Sequence, residues 1–142
     1  MNRSFHNPLF LVAVLVVSSL PAFSHAAEDP GHGIVFEKDI RPILKEHCFH
    51  CHGEEEELEG GLDLRLRRFL EKGGKSGAAI VAGDAGNSLL VEVLESGEMP
   101  KGKARLPDRD IGLIEQWIAD GAPTARPEPE SLGDEHLFTE EE

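Results

Sequence analysis

Residues 39–53 have the sequence DIRPILKEHCFHCHG, and the five that decide the fold are Cys48-Phe49-His50-Cys51-His52. They contain CXXCH, the spacing at which haem is attached covalently to protein. Two thiols three positions apart reach the two vinyl groups on one edge of the porphyrin, and the next residue then lies under the iron. The motif therefore predicts thioether links at Cys48 and Cys51 and an iron ligand at His52. The second ring nitrogen of His52 then needs an acceptor, such as a backbone carbonyl in the glycine-rich loop that follows.

Other chemistries also use paired cysteines. A disulfide between Cys48 and Cys51 suits an oxidising compartment, and a CXXC dithiol can exchange disulfides, but neither accounts for His52. A structural zinc site needs four ligands, and His47, His50 and His52 are candidates, but the chain has no second cysteine pair. The pentapeptide and an export signal together favour haem.

The N-terminus has the pattern of a secretory leader. Arg3 precedes an apolar run over residues 8–20 that is short for a bilayer span, and residues 24–27 fit a signal-peptidase site. We expect residues 1–26 to be a signal peptide, with an uncleaved membrane anchor as the alternative. The rest of the chain is then periplasmic or otherwise exported, and membrane association is expected only if the leader is retained.

The chain is acidic, with 14 Lys and Arg against 27 Asp and Glu. Removing the leader takes away Arg3 alone, which leaves 13 basic residues and moves the formal charge from −13 to −14. A field of this sign repels nucleic acid and anionic headgroups, and it steers the protein toward basic surfaces in a salt-dependent way. We therefore expect redox partner proteins with basic docking surfaces and no nucleic-acid partner.

Apolar periodicity predicts about four short helices separated by long glycine-rich loops. We expect the first to run from Asp39 into Cys48, the second to lie between Gly61 and Gly73, the third to span residues 88–95, and the fourth to run from Leu106-Pro107 to Gly121. The face predicted for the second helix comprises Leu62, Leu66, Phe69 and Leu70; that of the fourth comprises Ile111, Ile114, Trp117 and Ile118. A flexible lead-in over 27–34, a folded domain over 35–122 and an acidic flexible tail over 123–142 complete the expected organisation.

Met99 is the candidate for the sixth position on iron, because leader cleavage removes Met1 and leaves it as the only methionine. It lies in the loop between the third and fourth predicted helices, and Pro100 biases its backbone toward an extended geometry. Thioether ligation raises the reduction potential relative to a second histidine, which suits a carrier of single electrons. Many methionines only fill core space, so the residues alone leave both roles open.

The stretch from about Val35 to Ala122 resembles the planctomycete-type cytochrome c domain, a branch of the c-type cytochromes. The resemblance rests on ordered blocks: DIRPILKEHCFHCHG, GGLDLRLRRFLEKGGKSGAAIVAGD, NSLLVEVL, MPKGK and IGLIEQWIADGAP. It implies an all-α fold around one covalently bound haem c. In that fold Cys48 and Cys51 are the thioether links, His52 is the proximal iron ligand and Met99 the distal one.

The chain departs from the family pattern near the distal ligand. Lys101 stands where members often have a second proline, Ala82 stands where they often have a proline, and the approach to Met99 is shorter than usual. Many relatives continue into further large domains, whereas in this chain an acidic tail follows the cytochrome domain. We therefore expect its partner to be a separate protein. Candidates for holding the haem propionates are Lys75, Lys101, Lys103 and Arg105.

These features predict an exported mono-haem cytochrome that carries single electrons and is not an enzyme, because both axial positions are filled and catalysis needs an open iron site. The alternative is a haem-based sensor or weak peroxidase, in which the short Met99 loop leaves the sixth position accessible. A third interpretation is a haem-free interaction module stabilised by a disulfide or by zinc.

Overall fold

The structure is a computed structural model that describes residues 33–130 together with Met1 and Leu132. The predicted signal peptide beyond Met1, and the predicted tail beyond residue 130 apart from Leu132, lie outside the described residues. All described residues except Met1 belong to one unit, His32–Glu142. None of the described helices combines the length and the apolar character that crossing a membrane requires.

The described part of the chain is helical. Its α-helices are α1 (Arg41–His47), α2 (Arg67–Lys72), α3 (Leu89–Glu95) and α4 (Asp108–Ala119). Shorter helical turns span Phe36–Ile40, His50–Glu54, Glu59–Gly61 and Ala85–Asn87. The described residues contain no β-strand, only an isolated bridge between Gly74 and Gly77. The predicted all-α class is confirmed for this part of the chain.

Helix α1 carries the chain directly into the cysteine motif. A wider helical turn over Phe36–Ile40 precedes it, and Pro42 stands in its first turn, where a missing N–H leaves no intrahelical bond unmade. Leu44 is fully buried, and its carbonyl accepts the N–H of Cys48 at 2.8 Å. The first cysteine therefore follows a helix that is anchored in the core.

Helix α4 packs against the turn that begins the domain. Its buried face comprises Ile111, Ile114, Trp117 and Ile118, as predicted. The ring centroid of Trp117 lies 5.6 Å from that of Phe36, and the indole N–H donates to the carbonyl of Pro123 at 2.9 Å. The last helix and the turn before α1 therefore pack against each other in the core through Trp117 and Phe36.

The second helix is shorter than expected, and the prediction of helix from Leu62 is wrong. The backbone is extended at Leu66 (φ −131°, ψ 142°), and α2 begins only at Arg67. Leu64 and Leu66 are buried, whereas Asp63 and Arg65, which alternate with them, pair with each other. Burial here follows the period of two of an extended chain, while the apolar residues at 62, 66, 69 and 70 also match a helical period.

Helix α3 begins after Ser88, but the hydroxyl of this residue does not bond to the helix. It donates to the carbonyl of Asp84 at 2.9 Å and accepts from the N–H of Val81 at 2.9 Å. Ser88 therefore ties the start of α3 to the preceding loop. Buried side chains from all four α-helices form one apolar cluster.

Residues 123–130 differ from the flexible tail expected there. The N–H of Ala125 donates to the buried carboxylate of Glu37 at 2.7 Å. The backbone N–H of Arg68 donates to the carboxylate of Glu128 at 3.1 Å, and its guanidinium donates to the carbonyl of Glu130 at 3.2 Å. The segment therefore bonds to the turn before α1 and to the start of α2. Its proline-rich, acidic composition gave no indication of partners so distant in sequence.

Candidate functional site

The two cysteines and the histidine of the motif lie on one tight turn at the end of α1. The carbonyl of Cys48 accepts the N–H of Cys51 at 3.2 Å and that of His52 at 3.0 Å. Cys48 is half-buried and Cys51 is exposed, and both thiols are free. Two unpaired sulfurs beside an imidazole fit covalent attachment of haem, and the structure contains no disulfide between these two residues.

His52 is the point at which the backbone leaves the helical conformation, with φ −120° and ψ 35°. Its carbonyl accepts the N–H of Leu64 at 2.9 Å, so the following extended segment lies against the motif. Its Nδ1 is buried and has no hydrogen-bond partner within the described part of the chain. The expected backbone acceptor is therefore not found there, and the imidazole is uncommitted, as a residue available to an iron must be.

The thiol of Cys48 is held in its neutral form. Burial raises the pKa of Cys48 from 9.0 to about 11; the nearby positive charge of Lys103 opposes the shift, and Cys51 adds to it. Lys103 belongs to the loop that carries Met99. This loop and the attachment motif are separated by half of the folded chain, and each contributes a partly buried residue, Met99 and Cys48, to the same apolar cluster.

Met99 is half-buried and packs against the same apolar cluster as Cys48. Its N–H donates to the carbonyl of Val93 at 3.0 Å, which folds the loop back on α3, and Pro100 follows through a cis peptide bond. The structure thus brings the predicted distal residue and the half-buried cysteine to one cluster. It also gives Met99 a packing role, the other function that the sequence left open.

His50 within the motif and His47 directly before it both lie beside an acidic side chain. His50 is exposed, with its Nε2 3.6 Å from Oε1 of Glu55, and the Nε2 of His47 lies 3.9 Å from Oε2 of Glu46. In the part of the chain that the structure describes, no three His, Cys, Asp or Glu side chains converge as a metal site. The described residues therefore contain no cluster of the kind that the zinc interpretation requires.

The residues predicted to hold the haem propionates are all exposed: Lys75, Lys101, Lys103 and Arg105. Arg105 is engaged within the protein, because its Nε donates to the carbonyl of Glu95 at 3.3 Å and its guanidinium also bonds to Asp108. Lys103 is the member of the set whose charge acts on Cys48.

Sequence reasoning missed the ion pair beside the motif. Arg65 Nη2 lies 2.8 Å from Oδ2 of Asp63, and the stem of Arg65 lies against Gly53, where an added Cβ would be 3.0 Å from its Cγ. The alternation of leucines with charged residues over 62–66 was the available signal. An extended backbone places residues 63 and 65 on the same side, whereas a helix does not.

A helical domain whose first helix ends in a CXXCH turn is typical of the c-type cytochromes. Residues 48–102 match the family model described as Planctomycete cytochrome C. The match begins at the first cysteine, ends in the Met99 loop and covers less than half of the chain. The match supports haem c as the cofactor and haem-based electron transfer as the role. No curated protein and no solved structure matches the chain.

Proposed function

We propose that this chain is an exported mono-haem cytochrome that carries single electrons between redox partners. Cys48 and Cys51 hold the haem, His52 is the proximal ligand of its iron and Met99 is the distal ligand. The observation that carries the proposal is the turn in which the Cys48 carbonyl bonds the N–H groups of both Cys51 and His52, with both thiols free.

The cysteines perform the attachment. Each thiol adds across one vinyl group, so that sulfur bonds to one carbon and hydrogen to the other, and no external oxidant is needed. The exposed Cys51 is accessible to attachment machinery, whereas Cys48 lies against the core beside α1. Once bound, haem supplies the one-electron couple of its iron. Because both sulfurs extend from one turn, His52 is held at a fixed place beside them.

Two features support Met99 as the proposed distal ligand. It packs on the same cluster as Cys48, and Lys103 of its own loop acts electrostatically on the Cys48 thiol. A thioether favours ferrous iron relative to a second histidine and therefore suits a carrier of electrons. With two protein ligands, little rearrangement accompanies a change of oxidation state.

The proposed partners are proteins with basic surfaces, met outside the cytoplasm. Support comes from the formal charge of −13 and from Glu54, Glu55, Glu56 and Glu57, all exposed directly after the motif. An acidic surface beside the attachment turn attracts a basic one, and salt weakens that attraction. Arg3, the apolar run and the small residues at 24–27 support export.

The proposal is tested by expressing the full chain with haem-attachment machinery and extracting it with acid and organic solvent. We expect the haem to stay with the protein, and the reduced-minus-oxidised spectrum to show a low-spin c-type haem. The double variant Cys48→Ala/Cys51→Ala is the matched control and should lose its haem on extraction. Correctly exported but colourless wild-type protein would exclude the proposal.

Carbon monoxide separates the electron carrier from a sensor or weak peroxidase. Reduced protein with Met99 on the iron should bind the gas slowly, because the thioether must first dissociate. Rapid binding by the native protein would show an accessible sixth position and contradict His/Met ligation.

A further inference from the structure

The ion pair between Asp63 and Arg65 lies against the backbone that carries the proximal histidine. Arg65 bonds to Asp63 through Nε at 3.0 Å and Nη2 at 2.8 Å, and the backbone N–H of Arg65 also donates to the same carboxylate at 3.0 Å. The two side chains are only 28% and 16% exposed. A two-pronged, partly buried pair of this kind restrains the arginine more than a single surface contact does.

Residues 63–65 contact two consecutive residues, His52 at the end of the motif and Gly53 directly after it. Leu64 donates its N–H to the carbonyl of His52 at 2.9 Å. At the buried Gly53, the stem of Arg65 lies so close that a Cβ would be 3.0 Å from its Cγ and 3.3 Å from its Cδ. The backbone on the C-terminal side of the histidine is therefore held by one hydrogen bond and one packed side chain.

These contacts matter because the imidazole of His52 has no hydrogen bond at Nδ1 within residues 33–130. A ligating histidine is normally oriented by a hydrogen bond from its second ring nitrogen. The Nδ1 of His52 has no acceptor within residues 33–130, and its backbone has already left the helical conformation. Among these residues, the restraints seen beside the imidazole act on the backbone, through the bond from Leu64 to His52 and the packing of Arg65 on Gly53.

We propose that Arg65, held by Asp63, is a positioning residue for His52: its stem packs on Gly53 and fixes the orientation of the proximal imidazole relative to the haem. This inference rests on the proposed function only for the identity of the ligand. Arg65 itself does not touch the iron or exchange electrons.

The test compares Arg65→Ala with Arg67→Ala in the haem-loaded full chain. Arg67 is a matched control, because its Nη2 also lies 2.8 Å from a carboxylate, that of Glu71, at 27% side-chain exposure. The readout is the paramagnetic proton NMR spectrum of the ferric protein, in which haem methyl shifts report the orientation of the axial imidazole. We expect Arg65→Ala to change the order or spread of these shifts and Arg67→Ala to leave them as in the wild type.

Further variants keep the test decisive if Arg65→Ala does not fold. Arg65→Lys keeps most of the aliphatic stem but loses the guanidinium that bonds to Asp63. Asp63→Asn keeps Arg65 but removes the negative charge that holds its guanidinium. Both variants should therefore change the methyl shifts in the same direction as Arg65→Ala, but less. Unchanged methyl shifts in Arg65→Ala, or in both milder variants, would overturn the inference. Equal changes in the Arg65 and Arg67 variants would also overturn it.

A readout on the full chain as isolated, whatever its haem content, separates this inference from the proposed function. Hydrogen exchange at the amide of Leu64, which donates to His52, should be several-fold faster in Arg65→Ala and unchanged in Arg67→Ala. Absence of covalent haem from the wild type would end the proposed function and leave this measurement intact. Unaltered exchange at Leu64 would show that Arg65 does not support the backbone at His52.

Discussion

The carboxylate of Glu37 accepts a hydrogen bond of 2.7 Å from the backbone N–H of Ala125, 88 residues further along the chain. Glu37 is only 8% exposed whereas Ala125 is exposed, so this bond is partly buried. Pro123, two residues before Ala125, accepts from the N–H of Phe36 at 3.0 Å and from the indole of Trp117. After α4, the Pro123 carbonyl thus accepts from Phe36 and Trp117, and the Ala125 N–H donates to Glu37.

Truncation after residue 122 should give a less stable protein than truncation after residue 130. The shorter chain leaves the N–H of Phe36 and the indole N–H of Trp117 without their acceptor, at about 1–3 kcal/mol for each buried unsatisfied group. Thermal unfolding of the two haem-loaded truncations measures the difference. Equal midpoints would show that residues 123–130 add nothing to stability.

Gly53→Ala should lower stability by about 1–3 kcal/mol, as expected for overpacking of a buried position. The added Cβ would lie 3.0 Å from Cγ of Arg65 and 3.4 Å from Cβ of Phe49, and only the arginine can move away readily. Gly112→Ala is the control: Gly112 is exposed within α4, its Cβ would meet nothing within 4 Å, and a gain of about 1 kcal/mol is expected. Unfolding in denaturant checks both values, and a neutral Gly53→Ala would contradict the tight contact.

In apoprotein made without haem attachment, iodoacetamide should alkylate Cys51 before Cys48. Cys51 is exposed, while burial raises the pKa of Cys48 to about 11, so its reactive thiolate is scarce below pH 9. Labelling of Cys48 should accelerate as the pH rises toward 11. Mass spectrometry of peptides after timed labelling distinguishes the two sites.

Lys103→Gln should slow the labelling of Cys48 further, because the lysine lowers the pKa of that thiol. Lys45→Gln, an exposed position on α1, is the matched control and should leave the rate unchanged. If the Lys103 variant labels as fast as the wild type, the loop does not lie near Cys48.

Met99→Ala should abolish the charge-transfer band of ferric methionine ligation at the red end of the spectrum and lower the reduction potential. Because Met99 is only half-buried, the loss of packing should cost less than the roughly 2–5 kcal/mol typical of fully buried methionines. Leu113→Ala, another partly buried residue against the same cluster, should change stability but not the spectrum. A retained band in Met99→Ala would rule Met99 out as the ligand.

The sequence predicted the helical class and the inner face of α4 because both follow from local periodicity. It failed at residues 62–66, where the leucines satisfy a helical and an extended period at once; in the structure this segment is extended and Leu64 bonds to the carbonyl of His52. The support of Arg65 at Gly53 and the bond from Ala125 to Glu37 were not, because each joins segments whose proximity exists only after folding.

The bond between Arg68 and the carbonyl of Glu130 places residue 130 beside the start of α2. An affinity tag or a second module joined directly after Glu130 would therefore begin beside α2 and not at the end of α4. A fusion joined directly after Ala122 would remove Pro123 and Ala125, whose backbone groups bond to Phe36, Trp117 and Glu37.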